Sequence, residues 1–562
     1  MKLICAFSLL IVGSSTVFSQ SVYAPLNQDY SHFIDRNEIL SGKVSPELHT
    51  SFKPFTRESV YRMSSKTESD SSVRLSNRDN FNLSYLKDDN WEWSDSTNVD
   101  SVGNSKKALL KVLYRKKNAF AHYWHPDFEI QANPVFSVWG GKEKGGTETN
   151  FMNSRGVELR GMIDKRIGFY TMMTTTQALF PEYVRDRINS SPRAIPGEGY
   201  YKPYQTNGVD YYSARGYITF RWTKHIHFQF GHDRNFIGNG YRSLILSDYS
   251  APYTFGKIQT KIWKIQYTNL YAQMFYNTNI GKDTTYSRKF MTMHHLSINI
   301  GKHVNLGVFE SVVYTRQNNT FDANYLVPLI FYRYAETYMG SSDKVTLGSD
   351  IKVNFARHLS FYGQFVLNEF RINEMRNGNG WWGNKFAFQL GLKYIDFAGL
   401  KNLDWQLEAN VVRPYTYTSQ DSKANYSHYN QPLAHPQGAN FYEILNIFRY
   451  QPHKRFFAQL KAIYTRIGYD DATSNYGSNI FTPYEQVPAQ RPYGNYIAQG
   501  ITTNIAYGEL SLTYMIRHNL FFDLTGVIRE QAADNGDPAY RSSTSFGSAG
   551  LRLNLWQRPN DF

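Results

Sequence analysis

The sequence predicts an all-β protein, a transmembrane antiparallel β-barrel of about 18 strands preceded by a small helical N-terminal periplasmic domain. Three observations carry that prediction. From about Asp127 onward, amphipathic segments of ten to fourteen residues recur, joined in turn by short turns and long loops. The composition is divided: mean hydropathy is −0.51, yet the 562 residues include 43 Tyr, 38 Phe and 10 Trp, the balance of a polar-lined barrel with aromatic belts. No segment approaches eighteen uninterrupted apolar residues, which excludes a helical membrane protein. An aromatic-rich secreted β-protein shares the composition, but its apolar faces would need a second sheet to cover them.

The chain opens as a secretory leader over residues 1–19: Lys2 is a basic start, Leu3 to Val12 an apolar stretch, and Val17-Phe18-Ser19 a small-residue cleavage site before Gln20. The single cysteine, Cys5, lies inside it, so neither disulfides nor thiolate metal sites are expected in the mature chain. The formal charge of +14 falls to +13 without Lys2. On an exported protein this excess suits an anionic surface polysaccharide or lipopolysaccharide phosphate, and no motif points to nucleic acid.

Residues 20–125 read as a periplasmic or plug-like region. Tyr30, Phe33 and Ile34 share a helical face; Ser45-Pro46-Glu47 reads as an N-cap with proline at the first helical position; Thr56 caps a second helix carrying Val60, Tyr61 and Met63. A Ser/Asp/Asn-rich stretch from Ser64 to Ser105, broken by Trp91 and Trp93, precedes an expected hairpin from Ala108 to Trp124 around Arg115–Asn118.

Residues 126–562 form the expected barrel. Eight short turns are read at Asp164–Arg166, Thr223–His225, Tyr267–Leu270, Gly301–His303, Arg357–His358, Phe397–Asn402, Pro452–Arg455 and Arg517–Asn519. Nine longer connections are read at Gly140–Asn150, Leu179–Tyr211, Ile237–Phe255, Thr278–Lys289, Gln317–Asp343, Asn373–Trp382, Pro414–Asn440, Gly468–Thr503 and Gln531–Ser545. Seventeen connections join eighteen strands, with both ends on the short-turn side. Alternation supports the count. Leu403, Trp405, Leu407, Ala409 and Val411 oppose Asp404, Gln406, Glu408 and Asn410; Phe386, Phe388, Leu390 and Leu392 oppose Lys385, Gln389 and Lys393. Gly550–Trp556 alternates too, and the aromatic Phe562 near this last strand is the kind of signal that barrel-assembly machinery reads.

The most informative stretch is Gly231–Tyr253, GHDRNFIGNGYRSLILSDYSAPY. A strand ending near Phe236 runs into Gly238 and Gly240, which build a tight turn with close backbone approach; the third glycine, following helix and acidic residue of a nucleotide fingerprint are missing. The run from Phe230 to Tyr253 resembles the glycine-containing segment of Wzi-type capsule-assembly outer-membrane barrels in their Bacteroidota form, and Leu48–Arg57, LHTSFKPFTR, resembles the segment near the start of their mature chains. The motif positions are Asp233, Arg234, Gly238, Gly240, Arg242, Ser247 and Pro252. The resemblance implies an eighteen-strand barrel that attaches capsule without enzymatic chemistry.

Catalysis finds little support in the residues. His225, His227 and Asp233 share a wet face on which a relay or metal site can be drawn, but a polar barrel lining accounts for them, and His294-His295 point to opposite faces of their strand. Asp233, Arg234 and Arg242 are expected to pair across the loop mouth, as wall salt bridges or as an ionic field acting on a charged glycan. No catalytic residue, metal or cofactor is assigned. Ligand contacts are expected from the long loops, through Arg185, Arg187, Arg193, Tyr200, Tyr201 and Tyr204, through Tyr415, Tyr417 and Tyr429, and through Arg491 and Tyr493. Aromatic faces stack on sugar rings and arginines bind carboxylates or phosphates bidentately. Binding or organising surface polysaccharide leads, and an outer-membrane pore, an adhesion or gliding component and a surface enzyme remain the competing readings.

Overall fold

The computed structural model describes residues 21–94, 102–105, 108, 112–125, 127–190, 194–276, 286–329, 331–341, 343–484 and 491–562; the expected leader and Arg193 lie outside them. Eighteen antiparallel strands close into one barrel. They are β1 Phe128–Glu143, β2 Thr149–Ile163, β3 Ile167–Leu179, β4 Gly208–Arg221, β5 Ile226–Asp233 and β6 Tyr253–Ile262. Next come β7 Ile265–Tyr276, β8 Ser287–Ile300, β9 Val304–Tyr314, β10 Lys344–Phe355, β11 Leu359–Glu369 and β12 Lys385–Tyr394. The last are β13 Leu403–Val412, β14 Phe441–His453, β15 Phe456–Tyr469, β16 Ile501–Arg517, β17 Leu520–Ala533 and β18 Ser542–Leu553. Each pairs with its neighbours in sequence, and β18 closes on β1 through Leu553 opposite Phe136.

The wall is inverted relative to a soluble protein. Leu390 is 65% exposed on the outer face, whereas Gln389 and Glu408 are fully buried on the inner one. Closure pairs every strand and leaves no edge, and an apolar exterior on such a wall suits lipid.

One short turn lies elsewhere than the sequence suggests. Residues 267–270 sit inside β7, and the chain reverses instead at Trp263-Lys264, with Trp263 at a φ of 54°. Neither residue carries a turn signal, while Asn269 imitates one from the middle of a strand.

The lumen is occupied from three directions. At the short-turn end sit α1 (Gln28–Ser41), α2 (Arg57–Ser69) and α3 (Asn77–Asp89). Asn27 caps α1 by accepting the Tyr30 N–H at 2.7 Å, Thr56 caps α2, and Ser76 with Asp79 forms a capping box on α3. The last helix lies in the stretch that reads as merely polar. Its apolar face is short, Leu83, Tyr85 and Leu86 packing inward beside the buried polar Asp79, Asn82 and Asp89. No helix starts at Ser45. Instead the Glu38 carboxylate accepts the Ser45 N–H at 2.7 Å, and the Ser45 hydroxyl accepts that of Glu47 at 3.2 Å, which makes a turn. Tyr30, Ile34, Val60, Met63 and Leu86 pack against Met515 and Phe521 of the wall. Arg36 bridges Asp79, Asp396 and Asp404 at 2.8, 2.8 and 2.5 Å, riveting the bundle to the wall through paired buried charge. Of the expected hairpin at 108–124, part lies outside the described residues; Ala121–His125 pairs with β1.

Three further short helices lie in long loops: α4 (Glu182–Asn189), α5 (Tyr332–Met339) and α6 (Ile372–Asn377).

Candidate functional site

The Gly231–Tyr253 stretch forms the centre of the lumen. After β5 the chain turns inward, and Ile237, Leu244, Ile245 and Leu246 are fully buried among Phe52, Met274, Met293 and Val366. The polar inner wall holds its backbone. Glu408 accepts the N–H groups of Tyr241 at 2.7 Å and Arg242 at 3.0 Å, Gln364 bonds Ile237 O and Leu244 N at 2.9 and 2.7 Å, and Gln389 reaches Arg242 O at 3.1 Å. Both glycines are required by this geometry. Gly238 has a φ of 140°, and a Cβ on Gly240 would sit 2.5 Å from a Glu408 oxygen.

The two blocks that carry the resemblance meet here. Phe52 pairs with Ile237 and Lys53 with Phe236 in a short antiparallel ladder, and Gly238 N–H donates to Ser51 O at 2.7 Å. From the long-loop side, residues 413–440 clasp the inturned loop: the hydroxyls of Tyr417 and Tyr426 donate to Leu244 O and Ile245 O at 2.6 and 2.7 Å, and Ser247 Oγ donates to Ala434 O at 2.5 Å. His428 Nε2 bonds Pro252 O at 3.0 Å while its Nδ1 accepts the Phe275 N–H at 3.1 Å, so the neutral imidazole fits both partners. Burial lowers its pKa to about 3.

The segment after β18 is the third occupant. Residues 554–562 run back along the lumen, where Asp561 accepts from Arg242 and Lys461, both at 2.8 Å, and from the Tyr241 hydroxyl. Burial opposes the charge of Asp561, but Arg242 and Lys461 outweigh it and hold the carboxyl well below its usual range. Phe562 is thus buried beneath Arg187 and Tyr183 and does not stand on the last strand. The motif charges reach separate partners rather than one another: Arg242 also binds Glu443 at 3.3 Å, Arg234 approaches Glu198 at 3.7 Å, and Asp233 approaches Arg215 at 3.9 Å.

The loop candidates divide into two groups. Tyr415 and Tyr417, each 1% exposed, are internal, with the Tyr415 hydroxyl donating to Asn475 O at 2.6 Å. Arg187 is committed to the Tyr249 hydroxyl, Pro436 O and the Phe562 ring, and Arg185 pairs with Glu148 at 3.2 Å. Tyr200, stacked on Tyr201, is exposed; Gly199 lies against the Tyr429 ring, and Tyr429 meets Tyr286 edge-on at 5.9 Å. Tyr204 is half-buried against Phe151. Arg491 and Tyr493 are exposed, the latter by 50%, beside Tyr496 at 63%. The Trp382 N–H donates to Pro492 O at 3.1 Å and fixes this segment next to a cationic stack in which Lys385 lies over Trp382 and Tyr484. Sequence reading passed over Tyr496, although it stands in the Tyr-rich Gly468–Thr503 connection, and Trp382, which ends the Gly- and Asn-rich connection Asn373–Trp382.

His225 bonds Lys261 O, and among the described residues no group of three or more His, Cys, Asp or Glu side chains converges as metal ligands do. No family model and no curated protein matches the chain. Among solved structures it superposes on Wzi of Escherichia coli, described as an outer membrane protein involved in group 1 capsule assembly and a carbohydrate-binding β-barrel, with a TM-score of 0.58 and 13% identity over 96% of this chain and 100% of that one. OprD of Pseudomonas aeruginosa gives 0.42 and 11% over 75% and 94%, and OccAB2 of Acinetobacter baumannii 0.42 and 7% over 76% and 97%. Over nearly its whole length, the chain is similar in fold to Wzi.

Proposed function

We propose that this chain is a Wzi-type outer-membrane barrel, exported by its leader, with residues 20–125 on the periplasmic side. Its long-loop face binds and organises an anionic surface polysaccharide in a lectin-like, non-enzymatic role in capsule assembly. One observation carries the reading: the lumen is filled by buried, mutually bonded segments, while exposed aromatic and cationic side chains gather on the long-loop connections. Two patches supply the contacts, exposed Tyr200 with half-buried Tyr201 and Tyr429 in one, and exposed Arg491, Tyr493 and Tyr496 with half-buried Trp382 in the other. Each binds weakly, and a repeating polymer that engages both gains by avidity. Lipopolysaccharide meets the outer wall, and barrel-assembly machinery inserts it.

The test is binding of the detergent-folded barrel to the surface polysaccharide of its source cells. Saturable binding that weakens with salt, and falls at least tenfold in Tyr200→Ala/Tyr201→Ala and in Arg491→Ala/Tyr493→Ala, supports the reading. Undiminished binding in both double variants refutes the assignment of the patches, and absence of binding by the folded wild type refutes the function.

A second reading, a pore, is favoured by a cavity of about 240 Å³ beside residues 555–560, lined by Asp29 towards the helical end and by Phe180 and Tyr183 towards the loops.

A further inference from the structure

The connection from β9 to β10 does not rise from the barrel. It folds down over the outside of the wall. Met291 and Met293 of β8 face the lumen cluster, so Thr292 and His294 point outward; register places Asn269 and Glu310 on either side of His294 on that same outer face. Four polar side chains thus face away from the lumen, yet all four are buried. What covers them is α5 and the chain leading into it. Tyr332 and Ala335 join Phe290, Val312, Tyr314 and Val345 in an apolar cluster on the outer wall.

The cover is fastened through its polar groups. The Glu310 carboxylate accepts the N–H groups of Tyr332 at 2.8 Å and Arg333 at 2.9 Å, the first two residues of α5, and so neutralises a helix N-terminus. The Tyr332 hydroxyl bonds His294. In the irregular stretch before the helix, Leu326 O accepts the Tyr271 hydroxyl at 3.0 Å, and Pro328 O accepts that of Tyr267. Irregular backbone survives at membrane depth only when protein satisfies its polar groups, and here two outward tyrosines and one glutamate do so.

The other side of the cover carries large apolar and aromatic side chains, with Thr337 and Arg333 exposed among them, the latter paired with Glu336 at 2.7 Å. Leu329 is 81% exposed and Tyr338 83%, with Phe331 and Tyr334 exposed between them. This surface is continuous with the bare outer wall: Tyr267, which holds Pro328, stands opposite Leu296, and Leu296 opposite Val308, both exposed apolar residues. We propose that residues 326–329 and 331–339 form a lipid-facing flap, in which Leu329, Phe331, Tyr334 and Tyr338 contact the acyl chains of the bilayer while the flap seals Asn269, Thr292, His294 and Glu310 from them. The flap therefore belongs to the membrane surface of the barrel and not to the glycan-binding loops. This rests on the barrel spanning a membrane, as proposed above.

The sole cysteine of the sequence lies in the expected leader, so single cysteines report without background. Nitroxides are placed by Leu329→Cys and Tyr338→Cys, with Leu296→Cys as a bare-wall reference and Asn535→Cys as an exposed loop reference, in barrels reconstituted into phospholipid vesicles. Collision with dissolved oxygen is compared with collision with a water-soluble nickel chelate. The flap predicts that labels at 329 and 338 share the oxygen-dominated ratio of 296. A chelate-dominated ratio like that of 535, with 296 still oxygen-dominated, overturns the flap alone. Exclusion of both reagents from 329 and 338 also overturns it, in favour of contact with a second copy. A chelate-dominated ratio at 296 itself overturns the membrane reading beneath it.

Discussion

At the scale of single residues, Glu408 organises the lumen. Its fully buried carboxylate takes two backbone N–H groups from the inturned loop, the Tyr362 hydroxyl at 2.8 Å and Asn410 Nδ2 at 3.0 Å. Glu408→Ala takes the acceptor from both loop N–H groups and from the Tyr362 hydroxyl, Asn410 Nδ2 keeping Glu443 at 3.2 Å, at a cost of about 3 kcal/mol. The expected outcome is a lower temperature for the heat-induced mobility shift of the folded barrel and faster proteolysis within 234–252. Gly240→Ala acts on the same contact by displacing the carboxylate, and is expected to produce the same phenotype in milder form. The need for glycine at 238 and 240 was legible in the sequence, because close approach is a backbone property. The places of Tyr415 and Tyr417 were not: a tyrosine in a long loop reads alike whether its hydroxyl meets a sugar or, as for Tyr417, the carbonyl of Leu244 some 173 residues away.

At the scale of elements, the 413–440 clasp is held by a histidine that functions neutral. The folded pKa of His428, about 3, lies below its ordinary 6.5, so as pH falls below 6.5 the released clasp takes up a proton that the closed clasp refuses. Closure accordingly weakens by about 1.4 kcal/mol per pH unit between those values. Protease cleavage within 413–440 is expected to rise steeply from pH 7 to pH 5, and His428→Gln to flatten that dependence. The strands were legible because alternation is local and repeats at every crossing. The helix α3 was not, since most of its thirteen residues are polar and its burial comes from the wall around it. The flap was not legible either: a length of loop carries no sign of which side of a wall it lies on.

At the scale of the molecule, the barrel resembles a sleeve around three inserted segments that brace one another. Arg242 on the inturned loop binds Glu443 of β14 and Asp561 of the returning segment, and Lys461 of β15 binds that same Asp561. Asp561→Asn removes the shared anion and leaves Lys461 with Glu509 at 3.4 Å. The expected outcome is release of 557–562, read as faster labelling of a cysteine placed at Gln557. The strand count and the closed architecture could be counted from connections alone, whereas the filling of the lumen depends on pairings between residues hundreds apart.

The central claim is that this filled lumen does not conduct, so that function resides on the loop face. Single-channel recording of the wild-type barrel in planar bilayers tests it most directly. The account predicts a silent membrane despite verified insertion, and stable open steps at low voltage, as expected of an unobstructed eighteen-strand barrel, would contradict it.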